Sequence, residues 1–135
     1  MSRVNHNLIS KLANLKNVNW YRSEHTIKKA MDIKNKTIPI LFKSKHFLVL
    51  NKPNDLIMYN FKKDQMGMPS LYDYLRENFP YYYDARLTGG FHVLHRLDAI
   101  TSGAICIPLN YFSQRLAVKA FTTGKVEKYY LALGQ

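Results

Sequence analysis

The pattern of apolar and polar positions divides the chain into a polar amino-terminal segment and a folded remainder. Residues 1–37 are polar, basic and only weakly periodic, which is typical of an extension or a frayed helix. Two short apolar runs follow, residues 38–42 and 47–50, and predict a pair of β-strands. Pro53 lacks an amide donor and therefore ends the second strand. We expect a basic extension over residues 1–37 and one folded domain over residues 38–135.

Helical periodicity appears in two places. Ser70 lies three residues before Asp73, the spacing of a capping box, and begins a helix that Pro80 ends. Asn110 is a suitable N-cap for a second helix, and Gly124 stands just past its end, where a left-handed residue is usual. The apolar faces are formed by Leu71, Tyr74, Leu75 and Phe79 in the first helix and by Phe112, Leu116, Ala117, Ala120 and Phe121 in the second.

Three further strands are predicted, over residues 91–95, 104–107 and 126–133. The predicted order is β-β-α-β-β-α-β with short connections. This order favours an α+β fold in which helices flank a mixed or antiparallel sheet. A length of 135 residues allows one ordinary domain at most.

The charge of the chain favours a polyanionic partner. The sequence has 20 Lys and Arg against 9 Asp and Glu, a formal net charge of +11. Residues 1–52 alone carry 11 basic and 2 acidic residues. Such an excess is typical of proteins that bind RNA, DNA or an anionic membrane. A basic surface that only improves solubility would have the same composition.

Several classes of protein are disfavoured. A single cysteine, Cys106, allows no intrachain disulfide and no cysteine-based zinc site. No apolar run approaches the roughly 18 residues that a membrane span needs, and no apolar stretch near the start predicts a secretory signal. The absence of acidic residues before Glu24 fits a transit peptide, but many asparagines in that segment do not. We expect an intracellular protein, with cytoplasm, nucleus and mitochondrion unresolved.

The densest polar cluster, residues 95–103, joins two of the predicted strands. It places Asp98 beside Arg96 in a loop that the strands hold in position. A nearby cation keeps a carboxylate ionised, as a nucleophile or a base requires. From the residues alone, a structural Arg–Asp pair in a hairpin loop is the commoner explanation.

Alternation along the last predicted strand puts Lys128 and Tyr130 on one face and Glu127 and Tyr129 on the other. A cation and a phenol on one face could meet a flat anionic substrate, although an ordinary sheet edge has the same residues. Other enzyme classes fit less well. The His-Arg-x-Asp order is found in kinase catalytic loops, but no Gly-rich phosphate loop or Asp-Phe-Gly is present, and Ser102 lies outside a hydrolase G-x-S-x-G elbow.

Taken together, these segments resemble the RluA-type RNA pseudouridine synthases. The resemblance is carried by the complete family signature H-R-L-D-x-x-T-S-G, formed here by His95, Arg96, Leu97, Asp98, Thr101, Ser102 and Gly103. Two weaker motifs occur in the right order: an Asn-Lys-Pro strand end at Asn51, Lys52 and Pro53, and a K-x-Y-x-A strand at Lys128, Tyr130 and Ala132. The run from Ser102 to Cys106 is most similar to the animal RNA pseudouridylate synthase domain-containing proteins.

The resemblance implies an activity and site residues. RNA would be bound, the target uridine flipped out, and its C1′–N1 bond broken with Asp98 as the catalytic residue. Tyr130 would stack on the uracil and help to move the C5 proton. Substrate or RNA contacts are implied for Arg96, Lys128, His95 and Thr101. The resemblance implies RNA (tRNA, rRNA or mRNA) as the partner, with no metal, organic cofactor, membrane or protein partner.

The chain departs from the family pattern in several places. Asp55 stands near a usual glycine, Ala99-Ile100 replaces a commonly charged pair, and Pro108-Leu109 replaces a common Ala-Lys. The family also has a later Arg- and His-rich segment, so we expect a carboxy-terminally truncated catalytic domain that is weakly active or inactive alone. The alternative is an inactive RNA-binding fragment or pseudoenzyme of the same fold.

Overall fold

The computed structural model of the protein describes residues 37–60 and 68–134. The predicted extension therefore lies outside the described residues, apart from Thr37. In chain order the elements are β1 (Ile40–Lys43), β2 (Phe47–Lys52), α1 (Leu71–Asn78), two 3₁₀ turns (Pro80–Tyr82 and Thr88–Gly90), β3 (Gly103–Pro108) and α2 (Tyr111–Thr122).

The three strands form one antiparallel sheet in the order β1-β2-β3. On the central strand, Leu50 is the partner of Ile40 on one side and of Ile105 on the other. Leu48 and Leu50 are fully buried, whereas Val49 between them is only partly buried, as period-two alternation requires. The predicted α+β fold with an antiparallel sheet is confirmed.

One apolar cluster joins the sheet to α1 and to the connecting segments. Its members are Ile38, Leu48, Leu50, Leu56, Met58, Leu71, Tyr72, Leu75, Phe91, Leu97, Ile105, Ile107 and Leu109. Leu97 belongs to this core although it lies in the polar segment 95–103. Burial of a leucine is worth about 1.5–3 kcal/mol, so the loop around Asp98 is fixed on one side by packing.

Both predicted helix starts are confirmed as capping boxes. The Ser70 hydroxyl accepts from the Asp73 amide while Asp73 accepts from the Ser70 amide. Asn110 and Ser113 make the same reciprocal pair at the start of α2. Beyond α2, Gly124 has a φ of 68°, which is the predicted left-handed position.

The prediction of a strand over residues 91–95 is wrong. The Val93 amide donates to the Phe91 carbonyl at 3.0 Å, a tight turn that interrupts an extended strand. The outward Cys106 amide of β3 donates instead to His95 Nε2, at 2.9 Å. A side chain thus accepts a hydrogen bond at the edge of β3 where a strand would have supplied a carbonyl.

The prediction of a strand over residues 126–133 is also wrong. No strand in the described part of the chain pairs with this segment, and a strand needs a partner to complete its hydrogen bonds. Its large side chains are exposed, with Leu131 fully so. Alternation alone predicted an extended segment but could not supply a neighbouring strand.

Candidate functional site

The loop that carries Asp98 is anchored at both ends. Leu97 is buried before it, and Gly103 begins β3 after it with a φ of 143°, a conformation that favours glycine. Inside the loop, the Thr101 amide donates to the Asp98 carbonyl at 3.0 Å and closes a turn. The Asp98 side chain is 77% exposed. The loop therefore presents a carboxylate to solvent from a fixed backbone.

A buried lysine supports this loop from within. Lys52 is fully buried, and its ammonium donates to the carbonyls of Leu56 at 2.7 Å, Pro53 at 2.9 Å and Ala99 at 3.3 Å. Ala99 follows Asp98 directly, so this hydrogen bond ties the loop to the end of β2. Burial lowers the pKa of Lys52 to about 8, although the nearby Asp55 and Asp98 carboxylates raise it.

Beyond its place in the Asn-Lys-Pro motif, Lys52 was not predicted to have a role, although the strand pattern contains a signal for one. Period-two alternation puts Lys52 on the face of β2 that Leu48 and Leu50 occupy, and that face is buried. A lysine on the buried face of a strand needs several hydrogen-bond acceptors. The turn after Pro53 and the Asp98 loop supply them.

Arg96 contacts Asp98 only weakly. Its guanidinium lies 3.6 Å from an Asp98 carboxylate oxygen, and the side chains are 67% and 77% exposed. An exposed ion pair of this kind contributes little to stability. Arg96 also donates to the Tyr59 hydroxyl at 3.4 Å. The arginine is thus positioned beside the carboxylate and keeps most of its surface open.

His95 connects the loop to β3 and to α2. Its Nε2 accepts from the Cys106 amide, so the imidazole is neutral with its proton on Nδ1. The ring stacks on Phe121 with centroids 5.3 Å apart. Burial lowers the His95 pKa, and the nearby Lys128 charge lowers it further. These contacts favour a structural part for His95 at the edge of the site.

A cleft of about 520 Å³ brings four of the six predicted site residues together: His95, Thr101, Lys128 and Tyr130. The Lys128 ammonium lies 5.6 Å from the centre of the Phe121 ring in this cleft. Asp98 and Arg96 are not among the lining residues. Asp98 nevertheless lies on the loop between Leu97 and Thr101, which both line the cleft.

The segment after α2 contributes both of its tyrosines to the cleft. Tyr129 donates to Glu127 Oε2 at 2.7 Å, so these two side chains lie together, but Tyr129 and Tyr130 do not lie on opposite faces as strand alternation predicted. This hydrogen bond raises the pKa of Tyr129. Tyr130 is 65% exposed and has no such contact among the described residues.

Asp55 explains one departure from the family pattern. Its φ is 61°, in the left-handed region that glycine adopts readily. Aspartate is among the few other residue types that occupy this region at modest cost. Asp55 thus adopts, in the turn after β2, a backbone conformation that glycine favours, near the place where the resembled family usually has a glycine.

Over residues 37–60 and 68–134, no group of three or more His, Cys, Asp or Glu side chains converges on a point suited to a metal ion. Over the same residues, neither helix has the length and apolarity needed to cross a membrane.

Known proteins match this chain over most of its length. A sequence model described as RNA pseudouridylate synthase matches residues 46–135. The mouse RNA pseudouridylate synthase domain-containing protein 1 is 38% identical over 71% of this chain and 31% of its own length. An uncharacterised RNA pseudouridine synthase of Helicobacter pylori strain J99 is 32% identical over 79% and 31%.

Among solved structures, human RNA Pseudouridylate Synthase Domain Containing 1 matches 64% of this chain and 28% of its own, with 32% identity and a TM-score of 0.47. The chain spans about a third of the length of the curated relatives it matches. The relatives include animal domain-containing proteins, as the residues from Ser102 to Cys106 predicted, and the resemblance to RluA-type synthases is confirmed. With two thirds of its residues matched, the chain belongs to the RNA pseudouridylate synthase family.

Proposed function

We propose that this chain contributes to the active site of an RNA pseudouridine synthase that isomerises uridine to pseudouridine, with Asp98 as the catalytic residue. The proposal depends mainly on one observation: Asp98 lies on a loop anchored by Leu97, Gly103 and Lys52, between two residues that line a cleft. Family membership and the complete signature around Asp98 support it.

The proposed reaction exchanges one bond for another within the nucleotide. Asp98 acts on the ribose or the base so that the C1′–N1 bond breaks, and the uracil then turns and bonds to C1′ through C5. The proton on C5 is lost and N1 gains one, so the composition of the nucleotide is unchanged. Tyr130 stacks on the uracil and helps to move the C5 proton. A duplex hides the glycosidic bond, so the uridine must first be flipped out.

RNA is the proposed partner, and the remaining site residues are assigned to it. Lys128 and Arg96 supply cations for phosphate, and Thr101 supplies a hydroxyl in the cleft. The net charge of +11 favours a polyanion, and residues 1–37 are proposed as a basic extension that adds to RNA affinity. The proposal places the enzyme inside the cell, in tRNA or rRNA modification.

The first test is Asp98→Asn. This change keeps the shape of the side chain and removes its charge, so pseudouridine formation should be lost while RNA binding persists. The measurement is uridine isomerisation in a tRNA and rRNA mixture, with RNA affinity measured in parallel. Glu77→Gln is the control, since Glu77 is an exposed carboxylate on α1 outside the cleft. Turnover retained by Asp98→Asn would overturn the assignment of Asp98.

A second candidate function, RNA binding without turnover, is favoured by one feature of the site. The Asp98 carboxylate is 77% exposed and is not among the residues that line the cleft. A carboxylate open to water lacks the desolvated setting that strengthens electrostatic catalysis. If the unmodified chain binds RNA with a salt-dependent affinity and forms no pseudouridine, RNA binding is what this chain does by itself.

A further inference from the structure

A second cleft, of about 870 Å³, lies at the far end of β3 and α2 from the Asp98 loop. β3 begins at Gly103, which lines the first cleft, and ends at Pro108, directly before Leu109 and Asn110, which line the second. The α2 helix returns from Tyr111 in the second cleft to Phe121 in the first. The prominent side chains of this second cleft are Tyr81, Tyr82, Tyr83, Arg86, His92 and Tyr111.

We propose that this second cleft, the tyrosine cleft, binds a single-stranded segment of the RNA whose uridine is presented to the Asp98 loop. The inference rests on the proposed function for the identity of the RNA. It adds a binding site, separate from the proposed catalytic cleft, that recognises unpaired bases by stacking.

The exposure of two tyrosines carries the proposal. Tyr81 is 96% exposed and Tyr111 is 65% exposed, so neither ring serves the core. Tyr83 differs, because its ring packs edge-on against Phe91 at 5.9 Å and closely covers Gly90. Exposed aromatic rings beside cations are how proteins hold single-stranded nucleic acid, because every base offers a flat face.

The charges around the tyrosine cleft fit a polyanion. The Arg115 guanidinium lies 5.9 Å from the centre of the Tyr111 ring, which lines the cleft. Asp84 is the carboxylate in the cleft, and Arg86 neutralises it through two hydrogen bonds of 2.7 and 2.9 Å. Phosphates would therefore approach cations without meeting an unpaired acid among the lining residues.

The lining of the tyrosine cleft includes one buried polar side chain, His92. His92 lines the cleft and is only 8% exposed, and its Nδ1 has no hydrogen-bond partner among the described residues. Buried polar groups without a partner are rare in folded proteins.

The spacing of the two clefts suits one RNA strand. Ten residues separate Tyr111 from Phe121 along α2, which at 1.5 Å per residue is about 15 Å. Stacked nucleotides advance about 3.4 Å each, so roughly four or five nucleotides cover this distance. Because β3 and α2 belong to one packed unit, the tyrosine cleft would hold the strand at a fixed offset from the target uridine.

The test uses the full chain and a single-stranded oligouridylate of about ten nucleotides. Tyr81→Ala with Tyr111→Ala should weaken binding at least about fivefold per tyrosine. The paired Phe substitutions keep the rings and should restore affinity. Arg115→Gln should weaken binding more than Lys119→Gln, which removes the same charge from the same exposed helix. A thermal melt of each variant confirms that its fold is intact.

The outcomes separate this inference from the proposed function. Unchanged affinity in the double Ala variant, or no binding of the oligouridylate by the unmodified chain, would overturn the tyrosine cleft and leave a protein partner as its alternative occupant. Pseudouridine formation that survives Asp98→Asn would overturn the catalytic assignment without touching the binding result. Weakened binding with the Ala variants and recovery with the Phe variants supports stacking, whatever the catalytic outcome.

Discussion

At the scale of single residues, Lys52 makes the stability of the fold depend on pH. Burial lowers its folded pKa from 10.5 to about 8, whereas in the unfolded chain the ammonium has its ordinary pKa. Between these values the unfolded chain binds more protons, so stability rises as the pH increases from about 8 to 10.5. Relative to its value below pH 8, the free energy of unfolding therefore gains at most about 3 kcal/mol by pH 10.5 from the titration of Lys52.

Lys52→Met removes the ammonium group, so comparing this variant with the unmodified chain isolates the titration of Lys52. Chemical denaturation of both proteins between pH 7 and 10.5 should show the free energy of unfolding of the unmodified chain rising relative to that of Lys52→Met. All other ionisable groups are present in both proteins, so their effects on the free energy of unfolding cancel in this comparison. A constant difference across the range would show that Lys52 keeps an ordinary pKa.

Tyr130 and Tyr129 provide a second comparison between single residues. Both line the cleft, but the Tyr129 hydroxyl is occupied by Glu127 and that of Tyr130 is assigned to proton transfer. Tyr130→Phe should keep stacking and slow single-turnover isomerisation by roughly 10²-fold or more, the usual loss with a general acid or base. Tyr129→Phe should slow it much less. If Tyr129→Phe is slower than Tyr130→Phe, the K-x-Y motif has been assigned one residue out of register.

At the scale of elements, a close approach between Gly90 and Tyr83 fixes the turn before the segment that leads to His95. Gly90 has a φ of 85°, and a Cβ there would lie 2.1 Å from the Tyr83 ring. Gly90→Ala should therefore cost more than the roughly 1–2 kcal/mol of a left-handed alanine, because the ring must also move. Gly124→Ala is the matched control, since its φ is 68° and no atom lies within 4 Å. If Gly90→Ala and Gly124→Ala lower the unfolding temperature equally, the close approach of Gly90 to the Tyr83 ring is contradicted.

The elements also show which features local sequence can predict. The capping box at Ser70, the N-cap at Asn110 and the left-handed Gly124 were predictable because each depends on residues within one turn. The strands over residues 91–95 and 126–133 were not, because a strand exists only with a partner. The missing strand over residues 91–95 was the harder one to foresee. The His95 ring accepts the hydrogen bond of the Cys106 amide, which the carbonyl of a neighbouring strand would otherwise accept.

At the scale of the whole molecule, the α+β fold and the Asp98 loop follow from patterns that the sequence contains, but the cleft does not. Its walls come from residues 95–106 and 121–131, which meet only because α2 folds back along β3. The signature therefore located Asp98, whereas the position of Tyr130 relative to it depends on packing that no spacing rule describes.

The charge of the whole molecule leads to the last prediction. Residues 1–37 carry eight Lys or Arg and two acidic residues. Cations that neutralise phosphates release counterions, so RNA affinity should fall steeply with added salt. If six net charges of this segment engage a single strand, its removal should reduce the slope of log affinity against log salt by up to about 4. The control exchanges the eight basic residues for glutamine at constant length and should flatten the slope equally. An affinity insensitive to salt would show that the basic surface serves solubility and not RNA.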